Sequence, residues 1–263
     1  MEQHPALSGK KNINLDLSVS IITAVKNNKQ FIEEAINSVL SQTYPQIEYI
    51  IIDGGSTDGT VDIIKKYSNR ISKWISETDN GIFDALNKGI NLSTGNIIGF
   101  LHSDDLFTDS NAIEKIAGKF KLKNINAVYS DLVYVRKGNI NKIVRFWKAG
   151  NFSANSLKFG WMPPHPTLFV KSSLYKEYGL FDIGLKIASD YDMVLRLFKN
   201  NPGSIAYIKE VFVKMRLGGR SNRSIKDIFR KSREDYKVLK KNNFTFPAFT
   251  LLIKNIRKIT QFF

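Results

Sequence analysis

The sequence predicts an α/β protein with a central, mostly parallel sheet flanked by helices. Two apolar, β-branched segments of strand length, residues 17–25 and 47–53, are separated by a segment whose apolar residues recur at helical spacing. Strand, helix and strand in that order form the unit from which parallel sheets are made. The chain has 263 residues, of which 43% are hydrophobic, and this is enough for one large domain with a sizeable core.

The remaining segments alternate in the same way up to residue 125, where the pattern changes to a hairpin. The predicted elements are, in chain order, a helix capped by Asn28, a helix after Gly59, a strand over 73–76, a helix over 82–92, a strand over 95–101, hairpin strands over 127–136 and 140–146, a strand over 167–170 and a helix over 189–199. We therefore expect one continuous domain over 17–222 with two halves, 17–125 and 126–222. A polar tail over 1–16 precedes it and a basic helical tail over 223–263 follows.

Composition excludes several classes of protein. The hydrophobic content and an aromatic content of 12% exclude disorder as the main state. No window reaches the roughly 18 apolar residues that a membrane-spanning helix needs. The absence of cysteine excludes a disulfide scaffold, a thiol nucleophile and cysteine-ligated metal sites. Because the first sixteen residues lack an apolar signal core, the expected location is cytoplasmic.

The formal charge of +15 is concentrated near the C-terminus, since residues 214–263 hold 14 Lys or Arg against 3 Asp or Glu. A basic field confined to this part of the chain predicts contact with an anionic surface such as phospholipid. The stretch FTFPAFTLLIKNIRKITQFF interleaves aromatic and aliphatic residues with Lys and Arg, as helices at a membrane surface do. A helix that covers the sheet, a dimer face and a nucleic-acid-binding tail remain alternatives.

Carboxylates follow two of the predicted buried strands. Asp53 ends one strand, and Asp104 and Asp105 follow another. In open parallel sheets, ligands bind in the crevice beyond the carboxyl ends of the strands. The alternative for these carboxylates is that they form a turn or cap a helix and bind no ligand. No Gly-x-Gly-x-x-Gly follows the first strand and no P-loop signature occurs, which argues against dinucleotide or P-loop binding.

Four stretches together resemble the family-2 glycosyltransferases with a GT-A fold. They are SVSIITAVKNNKQFIEEAINSVLSQTYPQIEYIIIDGGSTDGT, SETDNGIFDALNKGINLSTGNIIGFLHSDD, MPPHPTLFVKSSLYKEYGLFD and ASDYDMVLRL, and they extend over roughly residues 17–220. The resemblance implies that residues 17–125 bind a nucleoside-diphosphate sugar and that residues 126–222 face the acceptor. It further implies transfer with inversion to a glycan or lipid-linked acceptor in bacterial surface polysaccharide biosynthesis.

The resemblance also implies a divalent metal, Mn²⁺ or Mg²⁺, held by Asp104 and Asp105. Hard oxygen ligands suit both ions, which usually share the substrate's phosphates. His102 stands where the family commonly has the first aspartate of its metal-binding signature. A neutral imidazole still binds Mn²⁺, although this substitution also leaves open a catalytically inactive sugar-nucleotide binder.

Several further residues match the family's donor-binding positions. Thr23 and Asp53 match contacts to the nucleobase and ribose, Asp79 matches another donor contact, and Asp104 matches a position beside the diphosphate. Lys88 is a candidate for neutralising the diphosphate, with a solvated helix lysine as the alternative. Arg216 and Arg220 flank Gly218-Gly219, where a closing loop would bring cations to the phosphates.

Asp190, at the head of the predicted helix over 189–199, matches the family's catalytic base, which removes the proton of the acceptor hydroxyl. A helix N-cap is the alternative. Asp192 points about 200° away around that helix and is expected to cap or pack. His165, between two prolines, is a candidate contact to metal, phosphate or acceptor, as is His102; a buried, hydrogen-bonded histidine is the alternative.

Overall fold

The computed structural model describes residues 17–218 and 225–257. The strands in these ranges are β1 (Val19–Val25), β2 (Ile47–Asp53), β3 (Lys73–Ser76), β4 (Ile97–Phe100), β5 (Leu106–Phe107), β6 (Ala127–Arg136), β7 (Asn139–Trp147), β8 (Phe169–Lys171) and β9 (Ile205–Arg216). The α-helices are α1 (Ile32–Leu40), α2 (Thr60–Lys66), α3 (Ile82–Leu92), α4 (Ala112–Phe120), α5 (Ser172–Tyr178), α6 (Ser189–Asn200), α7 (Ile225–Lys241) and α8 (Pro247–Ile256). Two short 3₁₀ helices cover Ala154–Phe159 and His165–Thr167.

A single mixed sheet runs through both predicted halves of the domain. Its order is β3-β2-β1-β4-β8-β6-β9-β5, and β7 pairs with β6 outside this path. The first four strands are parallel, whereas β8 is antiparallel to both of its neighbours, β4 and β6. β6 and β9 are again parallel. The predicted α/β class and parallel first half are confirmed, and β8 joins the two halves.

Helices cover both faces of the sheet, because successive strand residues point to opposite sides. Ile22 on β1 packs in a core with Leu86 of α3 and Val194 of α6. The adjacent Ile21 packs in a second core on the other face, with Ile36 of α1 among its members. The central strands of the sheet are therefore buried on both sides, which leaves the strand ends as the place where a ligand can approach.

Two details of the local predictions are wrong. Helix α1 begins at Ile32, and Asn28 does not cap it with its side chain. The Asn28 amide nitrogen instead donates to the hydroxyl of Ser103, 2.8 Å away, so it connects the loop after β1 to the loop after β4. The strand predicted over 167–170 lies at Phe169–Lys171, because the preceding residues form a 3₁₀ turn.

The described part of the basic tail is folded against the body. Val238 and Leu239 of α7 are buried in the same core as α3 and α6, and Lys254 of α8 is also buried. The alternative of a helix that covers the body therefore holds for this inner face. No described helix is long and apolar enough to cross a bilayer. The predictions for residues 1–16, 219–224 and 258–263, including Arg220, lie outside the described residues.

Candidate active site

The carboxyl ends of β1, β2 and β4 meet at one edge of the sheet because these strands are parallel. Val25 at the end of β1 lies beside Asp53 at the end of β2, and Leu101 follows β4 with its N–H donating to the Ile22 carbonyl at 3.1 Å. The loop that carries His102 and Asp104 therefore emerges beside the Asp53 turn. The sequence predicts a ligand crevice at this edge of the sheet.

Asp53 shapes the turn that follows it. Its carboxylate accepts the backbone N–H of Gly55 at 3.1 Å, the N–H of Ser56 at 2.9 Å and the hydroxyl of Ser76 at 2.7 Å. The side chain is fully buried. The alternative of a turn-forming carboxylate is thus realised, while contact between Asp53 and a nucleotide stays a prediction.

Asp79 lies against the same turn. Its Oδ1 accepts the N–H of Gly81 at 2.9 Å. A β-carbon added to Gly54 would lie 2.2 Å from Asp79 Oδ2, closer than any real contact. The structure therefore brings Gly54 and Asp79 together at the ends of β2 and β3, and the approach requires glycine at position 54.

Thr23 and Lys88 are engaged with other groups of the protein. The hydroxyl of the fully buried Thr23 donates to the Leu101 carbonyl at 2.7 Å and lies 3.2 Å from the Tyr49 hydroxyl. Lys88 Nζ lies 2.7 Å from Glu77 Oε1, and this hydrogen bond raises the pKa of Lys88. Lys88 is therefore paired within the protein rather than solvated, and donor binding by Thr23 or Lys88 stays a prediction.

Asp104 and Asp190 come together around two histidines. The ring centres of His102 and His165 are 6.0 Å apart. Burial lowers the pKa of His102, while the negative charges of Asp104 and Asp190 act in the opposite direction. Burial likewise lowers the pKa of His165 to about 4, again against the charge of Asp190. Both rings are therefore neutral near pH 7 and lie within electrostatic reach of the predicted base.

The two histidines keep unused polar atoms in this cluster. Within the described residues, His102 Nδ1 and both ring nitrogens of His165 are buried and have no hydrogen-bond partner. The His165 ring stacks on Phe100 with centres 5.4 Å apart, which fixes its orientation. An unpartnered buried nitrogen is costly, so the described contacts do not realise the alternative of a hydrogen-bonded core histidine, and contact of His102 or His165 with a ligand stays a prediction.

Asp105 points into the protein and Arg216 supports the loop. Burial raises the pKa of Asp105 well above its usual range, with Asp104 adding to this effect and Arg216 opposing it. Arg216 Nη1 donates to the Asp104 carbonyl and Nη2 to Glu34 Oε2, both at 2.7 Å. Arg216 therefore holds the backbone that carries Asp104. The sequence singled out Arg216 only as a phosphate contact, since β9 was not predicted.

Asp104 and Asp105 carry the carboxylate oxygens that suit Mn²⁺ and Mg²⁺, and His102 offers an imidazole nitrogen for Mn²⁺. Asp104 is partly exposed and its carboxylate is a hard oxygen ligand, while His102 has an unpartnered nitrogen. The described residues contain no group of three or more His, Asp or Glu side chains placed to hold a metal. The protein would supply one or two ligands, leaving the others to phosphate and water, as is usual for Mg²⁺.

The family model described as "Glycosyl transferase family 2" matches residues 20–176, which contain the strands of the first half, the Asp104 loop and the His165 turn. The chain belongs to glycosyl transferase family 2. As a member of this family it is a glycosyltransferase, and the resemblance seen in its sequence is confirmed.

Curated relatives of this glycosyltransferase include mycobacterial proteins. A "PGL/p-HBAD biosynthesis glycosyltransferase" of Mycobacterium bovis is 28% identical over 211 residues, which cover 77% of this chain and 78% of the relative. An uncharacterized glycosyltransferase of Mycobacterium tuberculosis is 33% identical over 188 residues, 68% of each chain.

Solved structures confirm the GT-A type fold. S. aureus TarS 1-349 in complex with UDP-GlcNAc matches with a TM-score of 0.68 and 18% identity, covering 86% of this chain and 65% of that one. The match to a longer TarS chain covers 39% of that chain. The mannosyltransferase PcManGT of Pyrobaculum calidifontis, in complex with GDP-Man and Mn²⁺, matches with a TM-score of 0.64 and 17% identity. The match covers 92% of this chain and 70% of PcManGT.

Proposed function

We propose that this glycosyltransferase moves a sugar, with inversion, from a nucleoside-diphosphate donor to a hydroxyl of a glycan or lipid-linked acceptor, in the biosynthesis of bacterial surface glycoconjugates. The proposal rests on one observation: Asp104 and Asp190, far apart in the chain, both lie within electrostatic reach of the cluster formed by His102 and His165. A relative named for PGL/p-HBAD biosynthesis supports the type of pathway. Structural neighbours with bound UDP-GlcNAc or GDP-Man support the type of donor.

Asp190 is the proposed general base. It lies in the first turn of α6, is partly exposed, and its Oδ1 accepts the N–H of Tyr191 at 2.7 Å. The N-terminal end of the helix, where the backbone dipoles are positive, faces this carboxylate. The ionised carboxylate takes the proton of the acceptor hydroxyl as the oxygen attacks the anomeric carbon.

Asp104 is the proposed metal ligand, with His102 as its partner. A divalent cation, when bound, supplies positive charge that stabilises the departing diphosphate. Asp105 stays a second candidate ligand, because both of its carboxylate oxygens are buried without a hydrogen-bond partner among the described residues, as are ring nitrogens of the two histidines. Arg216 holds the Asp104 backbone in place, and the turn formed by Asp53 and Gly54 shapes the donor edge of the crevice.

Release of nucleoside diphosphate from UDP-GlcNAc, UDP-glucose and GDP-mannose with Mn²⁺ tests this function. Asp190→Asn is expected to lower kcat by about a thousandfold, since it removes a general base. It should keep the rise in melting temperature caused by UDP and Mn²⁺, because ligands that bind the folded state stabilise it. Asp104→Ala should lose the Mn²⁺-dependent part of that rise.

Asp182→Asn serves as the control, because Asp182 is a partly exposed carboxylate whose hydrogen bonds to Gly184 and Lys241 lie outside the two-histidine cluster. Its kcat and its response to UDP with Mn²⁺ should match those of the wild type. Full activity of Asp190→Asn would contradict the assignment of the base. An unchanged Mn²⁺ response of Asp104→Ala would contradict the metal site.

We further propose that the outer face of α7 and α8 binds an anionic lipid surface, at the inner face of the cell membrane. Phe246, Phe249, Leu252 and Ile256 form one exposed stripe along α8, and each is at least 49% exposed. Among the side chains of α7 that the structure describes, over residues 229–241, the exposed ones are aromatic or basic and include Phe229, Arg230, Arg233, Tyr236, Lys237 and Lys240. Apolar residues flanked by Lys and Arg are what a helix lying in the headgroup region presents.

Sedimentation with anionic and with neutral phospholipid vesicles tests this surface. The variant F246S/F249S/L252S should bind anionic vesicles at least about tenfold more weakly, because it removes the apolar area that enters the headgroup region. Its melting temperature should not change, since the three side chains are exposed. The control variant L122S/I143S removes two equally exposed apolar side chains from other elements and should bind like the wild type. Unchanged binding of the triple variant, or tight salt-dependent binding of DNA or RNA in its place, would contradict the proposal.

A further inference from the structure

The C-terminal helices hold the start of the helix that carries Asp190. Glu234 of α7 accepts the backbone N–H groups of Ile187 at 2.8 Å and Ala188 at 3.0 Å. Ala188 is the N-cap residue of α6 and offers no side-chain cap. Backbone donors near a helix start need partners, and α7 supplies a carboxylate for those just before α6.

A buried ion pair lies directly behind Asp190. Lys254 of α8 and Asp235 of α7 are 5% and 1% exposed, and Lys254 Nζ is 2.9 Å from Asp235 Oδ1. The same Nζ lies 3.1 Å from the ring centre of Tyr191, the residue that follows Asp190. Burial lowers the pKa of Lys254, and the charges of Asp235 and Asp190 oppose this shift. The ammonium group is therefore within electrostatic reach of the proposed base.

The same lysine borders the segment that leads to His165. A β-carbon on Gly160 would lie 2.4 Å from Lys254 Cβ, and Gly160 has a φ of +68°. The Thr250 hydroxyl donates to the Lys158 carbonyl at 2.8 Å. Helix α8 thus contacts the chain shortly before the His165 turn as well as the start of α6.

We propose that Asp235 and Lys254 are positioning residues, which set Asp190 and the His165 turn relative to each other through Tyr191 and Gly160. This inference rests on the proposed role of Asp190 as the base. A buried ion pair is a weak device for stability alone, because well-packed apolar residues often do as well or better. The Asp235–Lys254 pair lies between the start of α6 and the segment before the His165 turn. Its directional contacts can hold these two segments in a fixed arrangement, which an apolar pair would not do. Neither residue touches the reacting atoms.

The double variant Asp235→Asn/Lys254→Met tests this role without leaving a buried charge unpaired. We expect it to fold and to release UDP from UDP-GlcNAc with a kcat at least about tenfold lower, because displacement of a catalytic group is costly. The KM for UDP-GlcNAc should stay within about twofold of the wild type, since donor affinity depends on the other edge of the crevice. The control Lys115→Met/Glu210→Gln neutralises an exposed pair between α4 and β9 and should change neither constant.

Amide hydrogen exchange gives a readout that does not depend on activity. In the double variant, exchange should accelerate at residues 160–168 and 186–192, and not in the control variant. If the wild type releases no diphosphate from any donor, the proposed transferase chemistry fails, and the exchange result alone decides whether the pair positions these segments. Wild-type kcat in a folded double variant, or unchanged exchange in both segments, would overturn the inference.

Discussion

Asp53 ends β2 and Asp104 follows β4, the two strands that flank β1, yet their surroundings leave the two carboxylates different numbers of free lone pairs for a ligand. Asp53 accepts hydrogen bonds from Gly55, Ser56 and Ser76, so the carboxylate is used within its own turn. Asp104 is partly exposed, and it is its backbone carbonyl that binds Arg216. A carboxylate whose lone pairs are filled by internal donors has little left for a cation. We therefore propose that the Asp53 turn shapes the ligand crevice and that the Asp104 side chain faces the ligand.

Gly54→Ala tests the close approach of Asp79 to the turn that Asp53 and Gly54 form after β2. The new β-carbon would lie 2.2 Å from Asp79 Oδ2, so the Asp79 side chain has to shift, which disturbs the hydrogen bond that its Oδ1 accepts from Gly81. We expect a loss of about 1–3 kcal/mol in the free energy of unfolding, the range for an overpacked site. Urea denaturation measures it, and the UDP-induced rise in melting temperature should shrink as well.

Gly118→Ala is the matched control for this substitution. Gly118 lies in α4, and a β-carbon added there meets nothing within 4 Å. Alanine in an open helical position should stabilise the protein by about 0.5–1 kcal/mol. Opposite signs for the two glycine substitutions are expected, and a Gly54→Ala protein as stable as the wild type would show that Asp79 moves without cost.

At the scale of elements, Glu48 of β2 joins the strands at the end of the sheet opposite the candidate site. It accepts hydrogen bonds from Ser20 of β1 at 2.6 Å, Lys73 of β3 at 2.8 Å and the N–H of Thr94 at 2.7 Å. Burial alone would raise the pKa of Glu48, but the hydrogen bonds from Lys73, Ser20 and Thr94 together lower it to about 2. The ionised carboxylate is therefore a link between three elements.

Glu48→Gln should lower the free energy of unfolding by about 2 kcal/mol near neutral pH. The folded pKa lies below its ordinary value of 4.5, so this contribution is present above pH 4.5 and is lost as the pH falls towards about 2. Urea denaturation of both proteins between neutral pH and about pH 3 measures the difference. A gap that stays constant over this range would contradict the role of the ionised form.

Sequence patterns predict an element when the spacing of apolar residues within that element is enough to define it. β1, α1 and β2 follow from runs of apolar residues, whereas β5 has two residues and exists through its pairing with β9. Asp104 and Asp190 could be named from motifs that resemble a family. The anchoring of Asp104 by Arg216 and of the α6 start by Glu234 could not, because these contacts join residues far apart in the chain.

At the scale of the whole molecule, the C-terminal helices present a buried inner face and an exposed outer face. The inner face contributes Val238 and Leu239 to the core and Glu234 to the start of α6. The outer face exposes the apolar stripe of α8. The positive charge that sequence analysis located in this region is therefore carried by helices that pack against the catalytic domain. A lipid contact on the outer face would act on α7 and α8, which contact α6, the helix that carries the proposed base.

A chain that ends at Arg223 should fail to fold as a stable enzyme. Removal of α7 and α8 uncovers the core beneath Val238 and Leu239, at a cost of about 1.5–3 kcal/mol for each side chain. It also removes Lys241 and Asn242, which bind the fully buried carboxylate of Asp192. These losses together approach the total stability of a typical domain.

Circular dichroism during heating, with size-exclusion chromatography, distinguishes the two faces of the C-terminal helices. The shortened chain should show no cooperative transition or one lowered by more than about 10 °C. The F246S/F249S/L252S variant should melt like the wild type, because its substitutions lie on the outer face. Equal melting temperatures for the shortened and full chains would mean that the helices are an independent tail, and the positioning role of Asp235 and Lys254 would then have no structural basis.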